Sequence, residues 1–299
     1  MNSAPDQPNL PVLIYIMGTA RSGSTILEIL LASGKDAIGA GELSELIRDG
    51  FIEDRRCSCG ELTSKCELWR GVKERVGLAD YELENLNRQH RRIDWHLGLA
   101  RQMLGGINRH EMAVYNDTNQ RIIGAIGEMT GCDFVIDSSK YAGRALALGQ
   151  ACPLRVYVIC LTRSPAGLMA AFQKPNRGEQ LPKSPLKTLF YYLVVSSLLR
   201  LAGRQLRNQI MYLRYEELLK DPIGALTRIE KFCGMELTVA KKNIARQLPF
   251  DVGHIVTGNR IRKMGQVSFA AESSDPSLTS TSQRAIASLM GAWKSILRF

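Results

Sequence analysis

Eight residues, Gly18-Thr-Ala-Arg-Ser-Gly-Ser-Thr25, put two glycines, four hydroxyl side chains and one arginine into a single short stretch. That set of groups binds an anion. A helix beginning at its far end offers backbone N–H groups without intrahelical partners and the positive end of the helix dipole, so oxyanions are stabilised there by several donors together. Against the nucleotide-triphosphate pattern G-x-x-x-x-G-K-[ST], Gly18, Gly23 and Thr25 fall in place, but Ser24 stands where the lysine belongs. Arg21 is the only cation in the loop. Without the lysine that meets the β- and γ-phosphates, magnesium-bound ATP or GTP fits poorly, and another phosphoanhydride fits better.

Other groups able to do chemistry follow at intervals: Glu42, Asp137-Ser-Ser-Lys140, Thr162-Arg163 and Tyr215-Glu-Glu. A carboxylate near an anion-binding loop can serve as a base, and an arginine grips two phosphate oxygens in a geometry no lysine reproduces. Glu42 is the first choice for the base, and Glu45, about one helical turn further on, is its nearest competitor. Glu42 also reads as a helix-start carboxylate favoured by the dipole.

Strands must deliver these groups. Val12 to Met17 reads as a buried strand feeding the loop, with an apolar helix over Ile26 to Ala32 behind it. Asp36 to Ala40 returns as a short second strand and places Glu42 beside the loop. Phe134 to Asp137 delivers Ser138, Ser139 and Lys140 ahead of a helix over Arg144 to Ala151. Arg155 to Leu161 delivers Arg163 ahead of a helix started by Ser164 and Pro165, and Gln209 to Arg214 leads into Tyr215. Parallel strands joined by helices bind ligands beyond their carboxyl ends, so the loops should meet in one crevice. The fold class expected is α/β: a single P-loop-like domain spanning residues 1–299, with a central parallel sheet flanked by helices. Residues 43–132 form a mostly helical insertion on the acceptor side.

Composition narrows the partners. The 39 Lys and Arg against 29 Asp and Glu give a net charge of +10 and favour an anionic ligand. The basic residues are scattered without an aromatic-interleaved run, so no nucleic-acid partner is expected. Thr188 to Leu199, the most apolar stretch, is too short to span a bilayer, and Met1 to Asn9 does not fit a signal peptide. Seven cysteines in a chain of 299 residues point to a reducing compartment and a cytoplasmic location. Cys57-Ser-Cys-Gly60 with Cys66 invites a zinc reading, but the spacing matches no common finger and no fourth ligand is close in sequence, so reduced cysteines packed in a loop are expected. His254 stands ahead of the Gly258 loop, with a phosphate-binding or a structural role open to it. His96 reads as part of a solvated helix face.

Taken together, Gly18 to Thr25, Gly41-Glu42, Asp137 to Lys140, Leu161-Thr-Arg-Ser-Pro165, Arg214-Tyr-Glu-Glu-Leu218 and Gly258-Asn-Arg-Ile-Arg262 resemble a sulfotransferase using 3′-phosphoadenosine 5′-phosphosulfate (PAPS). The resemblance is to the Arg-Ser-Gly-Ser/Thr-Thr type found in carbohydrate, tyrosylprotein and many bacterial sulfotransferases. It implies that Arg21 and the amides of Ser22, Gly23, Ser24 and Thr25 hold the 5′-phosphosulfate, with hydroxyl bonds from Ser24 and Thr25. By the same resemblance Arg163 holds the 3′-phosphate, Tyr215 lies near the adenine, and Arg260 and Arg262 belong to a basic loop closing over the 3′-phosphate. The family serine eight residues after that arginine is here Ala171, and Ser138 or Ser139 is the candidate replacement hydroxyl. Both serines also read as helix caps, and Tyr215 as a core residue. The implied reaction is in-line sulfuryl transfer to the hydroxyl of a small-molecule or carbohydrate acceptor, with Arg21 offsetting leaving-group charge and Glu42 taking the proton. No metal is demanded, because sulfuryl carries less negative charge than phosphoryl. The alternatives are a P-loop kinase-like enzyme using ATP and magnesium, and a non-catalytic nucleotide-binding module.

Overall fold

Val12–Gly18 forms the central strand, β1, and each of its residues after Val12 is buried, as suits a strand covered on both faces. The computed structural model describes residues 10–173, 182–258, 260–269, 278 and 280–297, with the side chains of Ala151 and Arg260 outside that set. With β2 (Ala37–Gly39), β3 (Phe134–Lys140), β4 (Val156–Thr162) and β5 (Ile210–Arg214), β1 builds one sheet in the order β2-β3-β1-β4-β5. All four pairings are parallel. Register sets Met17 beside Lys140 and Gly18 beside Leu161, so the loop after β1 opens between the ends of its two neighbours.

Alternate strand residues feed opposite faces. Leu13, Tyr15 and Met17 pack under α5 (Arg109–Thr130), α6 (Ala142–Ala151) and α8 (Pro185–Gln205). Ile14 and Ile16 pack under α1 (Ser24–Ala32), α10 (Pro222–Cys233) and α11 (Thr238–Ala245). Burying each such side chain is worth about 1.5–3 kcal/mol, so the two-faced sheet is a rigid platform for its edge. Between β2 and β3 run a 3₁₀ turn at Leu43–Glu45, a π-helical stretch at Leu46–Ile52, and α2 (Glu67–Val76), α3 (Asp80–Asp94) and α4 (His96–Met103) ahead of α5. After β4 comes α7 (Pro165–Gln173), and after β5 comes α9 (Tyr215–Lys220).

Several boundaries shift from expectation. β3 continues through Ser138 and Ser139 to Lys140, so these residues belong to the strand rather than to a loop after it. The apolar stretch expected over 188–199 is part of the 21-residue α8, long and apolar enough to cross a membrane by length and composition. Its Tyr192, Val195 and Leu199 are nevertheless buried within the protein. The last helix, α12 (Thr281–Leu297), packs Ile286 and Met290 against α7 and α8, while Leu289 is exposed. Most of residues 268–282, and residues 174–181, lie outside the described residues.

Candidate functional site

The loop between β1 and α1 is shaped by backbone conformations few side chains accept. Arg21 has φ 67° and Gly23 φ 97°. A Cβ at Gly18 would overlap the Leu161 carbonyl, and one at Gly23 would overlap the Tyr215 ring, so both glycines let neighbouring elements close on the loop. Gly23 is the N-cap of α1 and no side chain caps the helix. Its first-turn amides therefore keep their capacity for an outside acceptor. Thr19 Oγ1 and Ser22 Oγ are buried without a hydrogen-bond partner among the described residues, although buried hydroxyls are normally paired. Ser24 and Thr25 stand in the first turn of α1, both buried.

On the β4 and β5 side, Arg163 donates from Nη1 to the Arg21 carbonyl at 3.0 Å, and its guanidinium lies 4.7 Å from the centre of the Tyr215 ring. Its buried Nε has no partner among the described residues. Ser164 accepts from the Gly167 N–H at 3.1 Å, the expected start of α7, and Glu216 accepts the Ser164 N–H at 2.8 Å. Two groups missed in the sequence complete this side. The Ala20 N–H donates to the Tyr191 hydroxyl at 2.8 Å, and Lys183 Nζ sits 4.5 Å from the ring centres of both Phe172 and Tyr191. Burial, then the charge of Arg21, lowers the Lys183 pKa. Tyr191 hides in an apolar run with no local signal of a polar task.

Toward β2 and β3, Glu42 pairs with Lys140, both side chains largely shielded. Lys140 has φ 74° and lies opposite Met17, so the pair stands at the rim of the loop. Glu45 is committed elsewhere: it pairs with Arg48 at 2.8 Å, accepts from the Tyr141 hydroxyl at 3.2 Å, and burial raises its pKa. Ser138 and Ser139 do not face Arg163. Ser138 donates its hydroxyl to Glu28 at 2.7 Å, while Ser139 donates to Asp137 and accepts the Ser44 N–H at 3.0 Å. Both are buried on β3, across β1 from β4, so the replacement-hydroxyl expectation is corrected: these serines brace the turn that carries Glu42. Glu28, a lone carboxyl in an apolar helix, also accepts the Gly41 N–H at 2.5 Å, and burial pushes its pKa up to about 8.

Behind this edge lies a closed polar network. Arg144 donates from Nε to Asp137 at 2.7 Å and from Nη1 to Asp94 at 3.3 Å and to the Tyr115 hydroxyl at 3.1 Å, and Tyr115 donates to Asp94 at 2.5 Å. Asp137 also accepts the Ser139 N–H at 2.9 Å. His96 is half-buried rather than on a solvated face: its Nδ1 accepts the Ala142 N–H at 3.3 Å, its ring meets Tyr141 edge-on, and burial pushes its pKa down to about 4. A cavity of about 490 Å³ lies elsewhere in the insertion, among Phe51, Thr63, Trp69, Lys73 and Glu84, with no residue of the loop in its lining.

The C-terminal segment reaches the same edge. A Cβ at Gly41 would come 2.8 Å from Ile255, and one at Gly258 would come 3.6 Å from Glu42 Oε1. Thr257 donates to Asp49 at 2.8 Å. Arg262, in the 3₁₀ helix Arg260–Met264, donates from Nη1 to the Arg56 carbonyl at 3.0 Å, which ties this loop to the insertion. The side chain of Arg260 lies outside the described residues. His254 points its Nδ1 at Cys66 Sγ, 3.3 Å away, and at Cys57 Sγ, 3.8 Å away. The fold thus supplies a fourth potential ligand beside the cysteines that the spacing alone did not offer.

A model described as the sulfotransferase family matches residues 11–239 of the chain. Among solved structures, the chain is similar to a sulfotransferase from Mycobacterium avium at 12% identity and a TM-score of 0.51, with 97% of this chain and 78% of that one covered. It is also similar to a sulfotransferase domain from the curacin biosynthetic pathway at 20% identity and a TM-score of 0.46, with 94% and 98% covered. A sulfotransferase from Alicyclobacillus acidocaldarius matches at 14% identity and a TM-score of 0.43, with 98% and 96% covered. The first of these bears on the fold alone. None of the curated proteins compared matches the sequence.

Proposed function

The chain belongs to the sulfotransferase family, and from that premise we propose that it transfers a sulfuryl group from PAPS to a hydroxyl of a small-molecule or carbohydrate acceptor. The observation that carries the donor assignment is the set of buried polar atoms without a partner among the described residues, Thr19 Oγ1, Ser22 Oγ and Arg163 Nε, around a helix start with no side-chain cap. Such atoms are costly unless a ligand completes them. PAPS supplies an activated sulfuryl group on a phosphate leaving group. Arg21 and the amides of Ser22, Gly23, Ser24 and Thr25 would bind the 5′-phosphosulfate and offset charge gathering on its bridging oxygen. Arg163 would grip the 3′-phosphate, with Tyr215 beneath it toward the adenine and Arg260 and Arg262 on the closing loop.

Glu42 is the proposed base. It stands at the loop rim, held in orientation by Lys140, whereas the carboxylate of Glu45 is taken up by Arg48 and Tyr141. The acceptor hydroxyl would give its proton to Glu42 as its oxygen bonds to sulfur. The insertion over 43–132 would wall the acceptor side of a single domain. A magnesium–ATP kinase has no support in the loop, where Ser24 brings no amine to the phosphates. Free thiols throughout fit a reducing compartment such as the cytoplasm.

Labelled PAPS offered with a panel of hydroxyl acceptors tests this reading. Glu42→Gln is expected to cut kcat by about 10²–10⁴ while adenosine 3′,5′-bisphosphate binds as before. Unchanged turnover in that variant would remove Glu42 from the mechanism.

A further inference from the structure

We propose that Cys57, Cys59, Cys66 and His254 form a tetrahedral zinc site that staples the helical insertion to the segment leading into the Gly258–Arg262 loop. The three thiol sulfurs and one imidazole nitrogen all lie within 4.8 Å of one another. For Zn–S near 2.3 Å and Zn–N near 2.0 Å, a tetrahedron requires S···N edges of roughly 3.5 Å. The observed edges from His254 Nδ1 are 3.3 Å to Cys66 and 3.8 Å to Cys57. Two edges thus already sit near tetrahedral spacing, and the remaining pairs lie within 4.8 Å, so the four groups converge on one point.

The surroundings are those of a metal knuckle. The Trp69 indole donates to the His254 carbonyl at 2.9 Å, which holds the histidine backbone in place. Ser58, between two of the cysteines, donates to the Gly253 carbonyl at 2.5 Å and accepts the Ile255 N–H at 2.7 Å. These bonds clamp both sides of His254 to the cysteine loop. A disulfide would use two sulfurs and leave a thiol and the imidazole facing it, whereas a thiophilic d¹⁰ cation uses all four groups.

Charge balances as follows. Three thiol protons pass to solvent as the cation enters, neutral His254 gives its Nδ1 lone pair, and the complex carries net charge −1. Arg56, bonded to the Gly60 carbonyl at 2.9 Å, and Arg262, bonded to the Arg56 carbonyl, supply compensating positive charge. The staple would hold the segment whose Ile255 meets Gly41 and whose Gly258 meets Glu42, so it positions the candidate site without touching substrate.

Elemental analysis of the full chain, purified without chelators from zinc-replete cells, tests this independently of any sulfuryl transfer. About one zinc per chain is expected, falling to near zero in Cys66→Ser and His254→Ala. Because those variants can misfold, the unmodified protein is also stripped of metal and titrated with cobalt(II). Thiolate-to-cobalt charge transfer and the strong visible bands of tetrahedral cobalt, complete at about one equivalent, are the expected result. Metal below about a tenth of an equivalent with no such spectrum, or a disulfide among the three cysteines in the freshly purified protein, would overturn the site.

Discussion

Two arginines follow the strands that flank β1 and meet opposite fates. Arg144, in the first turn after β3, is spent inside the protein: Asp137, Asp94 and Tyr115 take its donors, and it is 1% exposed. Arg163, just after β4, braces the loop through one nitrogen, lies over Tyr215, and keeps a buried Nε without a partner among the described residues. Buried polar groups that satisfy one another build scaffold. Those arranged around an incomplete acceptor set await a ligand. The division separates the β2–β3 side, which braces Glu42, from the β1–β4 side, where the anion cradle is proposed.

Removing the scaffold arginine should have the largest effect. Arg144→Ala leaves Asp94 and Asp137 buried without their cation and is expected to cost about 3–5 kcal/mol, read as a lowered denaturant midpoint. A midpoint within error of the unmodified protein would erase the distinction drawn between the two arginines.

Glu28 probes the same side through pH. Its folded pKa of about 8 lies above the ordinary carboxylate value, so between those values the folded state binds the extra proton and stability falls as pH rises. The slope is at most about 1.4 kcal/mol per pH unit and levels off above the folded pKa. Asp94, pushed up to about 6 by burial, acts in the same direction at lower pH, while His90 and His96, pushed down to about 3 and about 4, lose stability on acidification. The window from about pH 6.5 to pH 8 therefore isolates Glu28. Melting temperatures across it should fall for the unmodified protein and stay level for Glu28→Gln, whose amide can still accept from Gly41.

A milder comparison sets two left-handed glycines against each other. An alanine at Gly23 strains the backbone and strikes Tyr215, whereas one at Gly131, φ 67°, ends α5 in open space. Each backbone is expected to lose about 1 kcal/mol. Only Gly23→Ala should also weaken bisphosphate binding, by tenfold or more in titration. Equal binding by both variants would separate the loop from the nucleotide.

Local pattern carried much of this design. The apolar runs of β1 and β4, the glycine spacing of the loop and the Ser164-Pro165 helix start are each written in neighbouring residues. What stayed hidden depends on distance in the chain. His254 meets Cys57 across 197 positions, Ser138 meets Glu28 across 110, and Tyr191 meets Ala20 across 171. No periodicity encodes such pairs, because they arise only when strand order has been set. Glu28 did leave a trace, a single carboxyl inside an apolar helix, and Ser138 could be paired with it only once β3 was known to extend past Asp137.

The central claim, that the β1–β4 side is a cradle for a 3′-phosphorylated nucleotide, is met most directly by calorimetric titration with adenosine 3′,5′-bisphosphate beside ATP with magnesium. Metal-independent binding of the bisphosphate, weakened about 10–100-fold in Arg163→Ala whose folding is otherwise intact, is the predicted result. Binding of magnesium–ATP together with indifference to the bisphosphate would contradict it.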